Sequence, residues 1–253
     1  MIDLKSDDEV KRMRAACSAA ARVLQDLVSL VVPGISTAGL DSAARGLMLR
    51  HGCESACHGY VVGGLTYPGY VCISLNDEVV HGIGSPSRII RDGDLVSLDV
   101  VVRRDGFIGD NARTITVGKV SPEAKALCVE TEKALHAGIA AVRPGNRVGD
   151  ISAAIQASLG PGGYGIVRDF VGHGVGRKMH EEPQIPNFGK AGTGPKLLAG
   201  MCLAIEPMVN LGSPKIIMGA DGWTARTADG KVSAHFEHTV MVTEKGAEIL
   251  TLP

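Results

Sequence analysis

The 253-residue chain predicts an α+β fold built as two similar halves around one cleft. Three features of the sequence point there. A long helical pattern, a Pro-Gly stop, a shorter helical pattern and a set of apolar strands occur in that order twice; acids stand inside the apolar strands; and no low-complexity linker separates the two runs. The repeated order indicates an internal duplication, and ligand sites favour the interface between such packed units. The expectation is a single domain, 1–253, with pseudo-repeats at about 6–118 and 121–253.

In the first half, Ser6 and Glu9 have the spacing of a capping box, and apolar residues recur at helical intervals through Val31. "VVPG" stops that helix. A second helix is predicted from about Ala38 to His51, with Gly52 just past its end. "YVCISL" and "DLVSLDVVV" read as strands, the latter apolar enough to be buried. In the second half, Ser121 is an N-cap with Pro122 in the first helical position, and the helix runs to about Val142. "RPG" stops it, and "DISAAIQASLG" is the shorter helix. Setting Pro33-Gly34 over Pro144-Gly145 brings Leu40 onto Ile151 and Ala43 onto Ala154. "DFVGHG", "MCLAIEPMV" and "FEHTVMVT" supply the remaining strands.

Hydrophobic content of 45% with 21% charged residues is that of a globular chain able to bury a core. The formal net charge of -1 argues against non-specific nucleic-acid binding, and no nucleic-acid site is evident. Cys17, Cys53, Cys57, Cys72, Cys128 and Cys202 form no C-x-x-C pair, so reduced thiols in core or pocket are expected. The N-terminal stretch "MIDLKSDDEVKRMRAA" has no apolar signal region, and no apolar run approaches the ~18 residues of a membrane span. The expectation is a soluble, cytoplasmic protein.

The acids are the anomaly. Asp99 interrupts "LVSLDVVV", where a carboxylate is costly unless paired, protonated or bound to a cation. "RRDG" is a turn sequence, and the return strand carries Asp110 in "FIGDNART". A two-residue turn puts Asp110 opposite Val101, and a four-residue turn puts it opposite Asp99. Strand side chains alternate, so either register leaves both acids on one face. Glu206 in "MCLAIEPMV" and Glu237 in "AHFEHTVMV" repeat the pattern. A fifth candidate is His173 in "DFVGHGVGRKMHEEP", framed by Gly172, Gly174 and Gly176, with His180 seven positions on. Four carboxylates and one neutral imidazole carry a charge that two divalent cations would balance. Oxygen-dominated sites with one histidine suit Mn²⁺, Fe²⁺ or Co²⁺ at least as well as Zn²⁺.

An ordered Asp, Asp, His, Glu, Glu set across two pseudo-repeats resembles the pita-bread metallopeptidases of family M24. The stretches "CISLNDEVVHGI", "GDLVSLDVVVRRDGFIGDNART", "GHGVGRKMHEEPQIPNFG", "GMCLAIEPMV" and "WTARTADGKVSAHFEHTVMVTEKGAEILTLP" are similar to the type I methionine aminopeptidases, nearly from first helix to last strand. With neither an N-terminal zinc-binding extension nor an inserted helical subdomain evident, the short bacterial form is expected. The resemblance implies two pseudo-symmetric helix-helix-strand halves around a curved antiparallel sheet, with a dinuclear metal site between them.

It further implies that Asp99 binds one ion, that His173 and Glu206 bind the other, and that Asp110 and Glu237 bridge the two. The ions would be Co, Mn, Fe(II) or Zn, with a metal-bridging hydroxide attacking the first peptide bond and Glu206 accepting its proton. His180 would face the scissile carbonyl as a donor, and His81, in "EVVHGI", the following amide. Tyr67, Cys72, Met179 and Trp223 would form a soft, apolar methionine pocket. Two departures stand out: Met179 replaces an aromatic before the second histidine, and Gly64 falls where another aromatic is expected before Tyr67. The implied reaction removes the initiator methionine from nascent polypeptides when the second residue is small. The implied setting is near the ribosome exit, with the chain a monomer. His238 should point away from Glu237, His51 and His58 should be surface or capping residues, His136 lies on the long helix, and His235 is read as structural or supporting.

Two other readings compete. A proline-directed peptidase of the same fold would prefer proline after the first residue. A metal-free scaffold would have lost ligands, whereas all five positions and both histidines are present here.

Overall fold

In the computed structural model, which describes residues 2–253, the helices begin where the caps demand. Helix α1 (Asp7–Val28) starts at Ser6: the Ser6 side chain accepts from the Glu9 amide, and the Glu9 carboxylate accepts from the Ser6 N–H at 2.9 Å. It ends three residues before Val31, where the apolar spacing runs out. The Leu30 and Val31 amides already donate to carbonyls three residues back, and Pro33 disfavours helical geometry at Val32. Helix α2 (Thr37–Arg50) is capped by Ser36, whose hydroxyl accepts from the Gly39 amide at 3.0 Å. Helix α3 (Pro122–Ala140) is capped by Ser121, which accepts from Ala124 at 3.1 Å. Helix α4 (Val148–Leu159) is entered where the Asp150 carboxylate accepts the Arg147 N–H at 2.7 Å.

The two Pro-Gly stops occupy matching places. Gly34 and Gly145 both adopt left-handed backbone, φ +98° and +89°, which glycine permits at no steric cost. Two residues later, Ser36 bridges Ile89 in one half and Arg147 bridges Lys196 in the other.

Both halves contribute to one nine-stranded antiparallel sheet. Its order is Glu54–Ser55, Leu95–Arg104, Phe107–Thr116, Glu237–Thr243, Cys202–Ile205, Gly172–Gly174, Glu181–Ile185; Cys72–Leu75 also pairs with Leu95–Arg104, and Gly246–Ile249 with Glu237–Thr243. The halves join at a short seam, where Glu237 pairs with Ala112 and His238 with Asn111. Alternation then divides labour between the faces. Val96, Leu98, Val100 and Val102 pack with the helices of the first half, and Leu203, Ile205, Val240 and Val242 with those of the second. Asp99, Val101, Asp110 and Glu237 line a cavity on the other face.

The hairpin register left open by the sequence is the two-residue one. Arg104 pairs with Phe107, Asp110 with Val101, and Asp105 and Gly106 form the turn at φ +51° and +78°, the backbone of a tight hairpin turn. A separate small sheet pairs Ala225–Thr227 with Glu78–Val80 and with Ile216–Met218. It brings the Trp223 loop of the second half against the His81 turn of the first. Among the described residues no helix is long and apolar enough to cross a membrane.

Glu78 anchors that junction. It is buried, accepts the Leu75 amide at 2.8 Å and the Arg226 guanidinium at 2.7 Å, and pairs with Arg88. Glu78→Ala would leave the Leu75 N–H unpaired and release both arginines. It is expected to cost about 1–3 kcal/mol, read as a lowered urea midpoint with an unchanged denaturant slope.

Candidate metal centre

The ladder assembles the site in two rows. Asp99 pairs with Ala112, and Ala112 with Glu237, so the two acids flank a small residue across three strands. In the next row Thr239 pairs with Ala204, and Ala204 with His173. Residues directly opposite one another share a face, and Asp110 lies two positions from Ala112 on that same face. Glu206 follows Ile205, the partner of His238, and so lies beside Glu237 at the end of its strand. Ala112 and Ala204 keep the centre of both rows open.

The glycines around His173 are explained by close strand approach. A side chain on Gly172 would run into the Ala204 carbonyl, and one on Gly174 into the Glu182 carbonyl. His173 Nδ1 lies 2.9 Å from the Gly174 carbonyl, which fixes the proton on Nδ1 and leaves the Nε2 lone pair facing the acids. From Nε2 it is 3.4 Å to Glu206 and 3.9 Å to Asp110. Burial, with His180 adding to it, lowers His173 to about 3, so the ring is neutral and these approaches are not ion pairs. Ligand atoms of Asp110, His173 and Glu237 lie within 4.8 Å of one another.

The acids are protonated more readily than free carboxyls. Burial pushes Glu206 up to about 8, and burial with the nearby Glu206 raises Asp99 to about 6. Asp110 and Glu237 are pushed well above the usual range, by burial first and then by the surrounding carboxylates. Asp99 Oδ1 and Asp110 Oδ1 are buried without hydrogen-bond partners, and among the described residues no lysine or arginine lines the cavity. Orphaned carboxylate oxygens, a neutral imidazole lone pair and no protein counter-charge fit divalent cations.

The remaining predicted residues line the same cavity, of about 400 Å³. His81 sits at φ +60°, a backbone state costly for a side-chain-bearing residue and common at functional sites. Its ring meets Phe170 edge-on at 5.2 Å; burial, then His235 and His180, lower it to about 4. The His180 ring lies 4.5 Å from that of His173. Tyr67 meets Trp223 edge-on at 5.2 Å, its hydroxyl donating toward the carbonyls of Gly82 at 2.8 Å and Val71 at 3.2 Å. Cys72 pairs with Asp99 in the ladder, and Met179 is half-buried on the cavity wall.

Gly64 requires a correction. It does not stand in for an aromatic: Gly63 and Gly64 are the turn of a small hairpin pairing Val61–Val62 with Leu65–Thr66. The aromatic is Tyr60, seven positions before Tyr67, with its hydroxyl 2.9 Å from His180 Nδ1. Gly-Gly between Val-Val and Leu-Thr in "VVGGLT" carried that hairpin signal. His235 belongs closer to the centre than its sequence suggested. It is buried, with an unpartnered Nε2 3.6 Å from Glu206. Phe170 and Cys57 also line the cavity; no local pattern marks either. His238 turns away to Thr251 at 2.8 Å, and His51 pairs with Asp26 at 2.8 Å beside the end of α2.

Residues 11–244 match the model of metallopeptidase family M24. The chain is 48% identical over 250 residues to methionine aminopeptidase B of Synechocystis, covering 98% of this chain and 91% of that one. The crystal structure of methionine aminopeptidase from Thermotoga maritima superposes with a TM-score of 0.96 at 42% identity, covering all of both chains. The prolidase from Pyrococcus furiosus shares the fold at a TM-score of 0.78 and 23% identity, over 99% of this chain and 65% of that one.

Metal uptake requires the carboxylates to lose their protons, so affinity is expected to rise with pH until Glu206, at about 8, is ionised. The ion-free protein shows the converse. The folded state favours protonated Glu206, so this contribution to stability is full below the ordinary value of 4.5 and lost as pH rises through about 8. Calorimetric titration of metal-stripped protein with Mn²⁺ in buffers of different ionisation heat should show proton release at neutral pH. Affinity that does not change between about pH 6 and about pH 8.5 would contradict the assignment.

Proposed function

The chain belongs to metallopeptidase family M24, and from that premise we propose how its centre works. It is a metallo-aminopeptidase that removes the initiator methionine from polypeptide N-termini. The observation that carries this reading is the meeting of Asp110, His173 and Glu237 within 4.8 Å at the floor of a cavity lined by no basic side chain except histidine.

Two divalent ions, Mn²⁺, Fe²⁺, Co²⁺ or Zn²⁺, would be held by Asp99, Asp110, His173, Glu206 and Glu237. Ions bound there supply a water of lowered pKa and polarise the peptide carbonyl. The protein's own groups do the rest. The lone pair of the substrate's free N-terminal amine would be taken by an ion held there, which would limit cleavage to the first residue. Glu206 would take up a proton at a carboxylate oxygen. We assign Tyr60 as the donor in its 2.9 Å contact with His180 Nδ1; the imidazole proton would then sit on Nε2, where it would be offered to the carbonyl oxygen as negative charge develops. His81, neutral at pH 7, contacts the amide of the second residue and helps its nitrogen depart. Tyr67, Cys72, Met179 and Trp223 enclose the methionine thioether with soft apolar surface. Substrates with a small second residue are preferred, and the work is done in the cytoplasm by a monomer, on chains emerging from the ribosome.

His173→Ala and Glu237→Ala are expected to lower turnover of Met-Ala-Ser at least ~1,000-fold in saturating Mn²⁺ while circular dichroism stays native. Near-normal turnover in either variant would remove the proposed centre. Repeating the wild-type assay with Fe²⁺, Co²⁺ and Zn²⁺ ranks the metals, and a peptide with proline second and no methionine should resist cleavage.

Tyr60→Phe is expected to lower kcat about 10-fold with little change in KM, because it loosens His180 without altering the methionine pocket. A change confined to KM would assign Tyr60 to binding instead.

A further inference from the structure

The cavity has an outer end that the chemistry above leaves unused. On one side of its mouth stands the hairpin Val61–Val62/Leu65–Thr66, and on the other Met218 and Gly222. Both stems of the hairpin lead into the site: Tyr60 reaches His180, and Tyr67 packs on Trp223. Leu65 lies two positions before Tyr67, so it points to the same side of the chain and extends the Tyr67 wall outward. The two walls nearly touch, since a side-chain carbon on Gly222 would come within 2.6 Å of Leu65.

Val62, Leu65 and Met218 are 52%, 46% and 50% exposed. A lone exposed apolar residue needs no explanation, but a group of them on the rim of a cavity marks a contact surface. Charged side chains line this cavity only as the four acids of the floor. A second opening past His173 and His180 has the opposite character, lined by Asp3, Arg177, Lys178, Glu181 and Glu182. These are the two candidate paths for a peptide held by its first residue at the floor, since His173 and His180 line both cavities. An extended chain advances about 3.3–3.6 Å per residue, so its third residue lies roughly 7 Å beyond its first, outside the buried floor.

We propose that Val62, Leu65 and Met218 form an outer apolar subsite that takes the side chain of the substrate's third residue, making this chain selective for apolar residues there. The subsite rests on the aminopeptidase reading for its substrate. It follows from the continuity of this rim with the cavity that holds the metal-ligand candidates, and from its lack of charge.

The test uses Met-Ala-Xaa-Ser with Xaa as Leu, Asp, Lys or Gly, the Gly peptide serving as each variant's own reference, with the full chain in Mn²⁺. Wild type is expected to favour Leu over Asp by about 10-fold in kcat/KM, mostly through KM. Leu65→Ser and Val62→Ser should shrink that preference to about 2-fold or less. Equal turnover of the Leu and Asp peptides, a preference for charged residues, or a Leu preference untouched by both substitutions would overturn the proposal; the second outcome would send the peptide past Arg177 and Lys178. Trp223, the only tryptophan, gives a readout independent of hydrolysis. If no peptide is cleaved yet fluorescence titration still ranks Leu above Asp and the ranking is lost in Leu65→Ser, the aminopeptidase reading falls and the subsite stands. Equal binding of all four peptides would sink the subsite whatever the turnover.

Discussion

Everything at this site depends on four carboxylates on one face of a sheet, Asp110 and Glu237 buried and Asp99 and Glu206 half-buried, with no lysine or arginine among the described residues lining their cavity. Two like charges about 4 Å apart at an effective dielectric of about 20 repel by about 4 kcal/mol, comparable with a large share of a domain's net stability. The ion-free protein lessens this by keeping protons: burial raises all four acids, and the neighbouring carboxylates raise Asp99, Asp110 and Glu237 further. Divalent cations would replace those protons and remove the repulsion at the same time. Binding and electrostatic relief are therefore one event.

The same arrangement accounts for much of the local sequence. Valines and leucines on the alternate positions of the central strands pack against the helices, so the acids can occupy the remaining positions without costing the core. Ala112 sits between Asp99 and Glu237, and Ala204 beside His173, because anything larger would fill the centre of each row. Glycines flank His173 because three strands run too close for side chains there. The floor is rigid through regular pairing. The mouth is a two-residue turn on short strands, so its residues can vary without disturbing the ligands.

How much of this the sequence could reveal follows from the range of each constraint. That Asp99 and Asp110 share a face was readable, because a period of two survives either hairpin register. The register itself was not, since "RRDG" permits more than one turn. The two helix pairs were readable from caps and Pro-Gly stops, but the end of α1 fell earlier than its apolar spacing, because Pro33 acts on the preceding backbone. Tyr60 was missed for a different reason. Six residues of hairpin separate it from Tyr67, and counting back by position landed on a turn glycine. His235 and Phe170 were beyond reach, since their importance depends on which strands meet at the seam and on how the Trp223 loop is docked.

The two halves contribute the ligand candidates unequally, and that inequality bears on folding. Asp99 and Asp110 come from one hairpin and converge as soon as it forms. His173, Glu206 and Glu237 come from three strands of the other half and approach the first pair only when Glu237 pairs with Ala112 and His238 with Asn111. An unfolded chain cannot present such a set, because loop closure over so many residues must come first. A cation therefore binds the completed sheet in preference to anything earlier, and its binding free energy becomes stability of the native state. It acts at the seam of the large sheet, beside these two ladder pairs. The feature that would supply the chemistry would thus also hold the halves together.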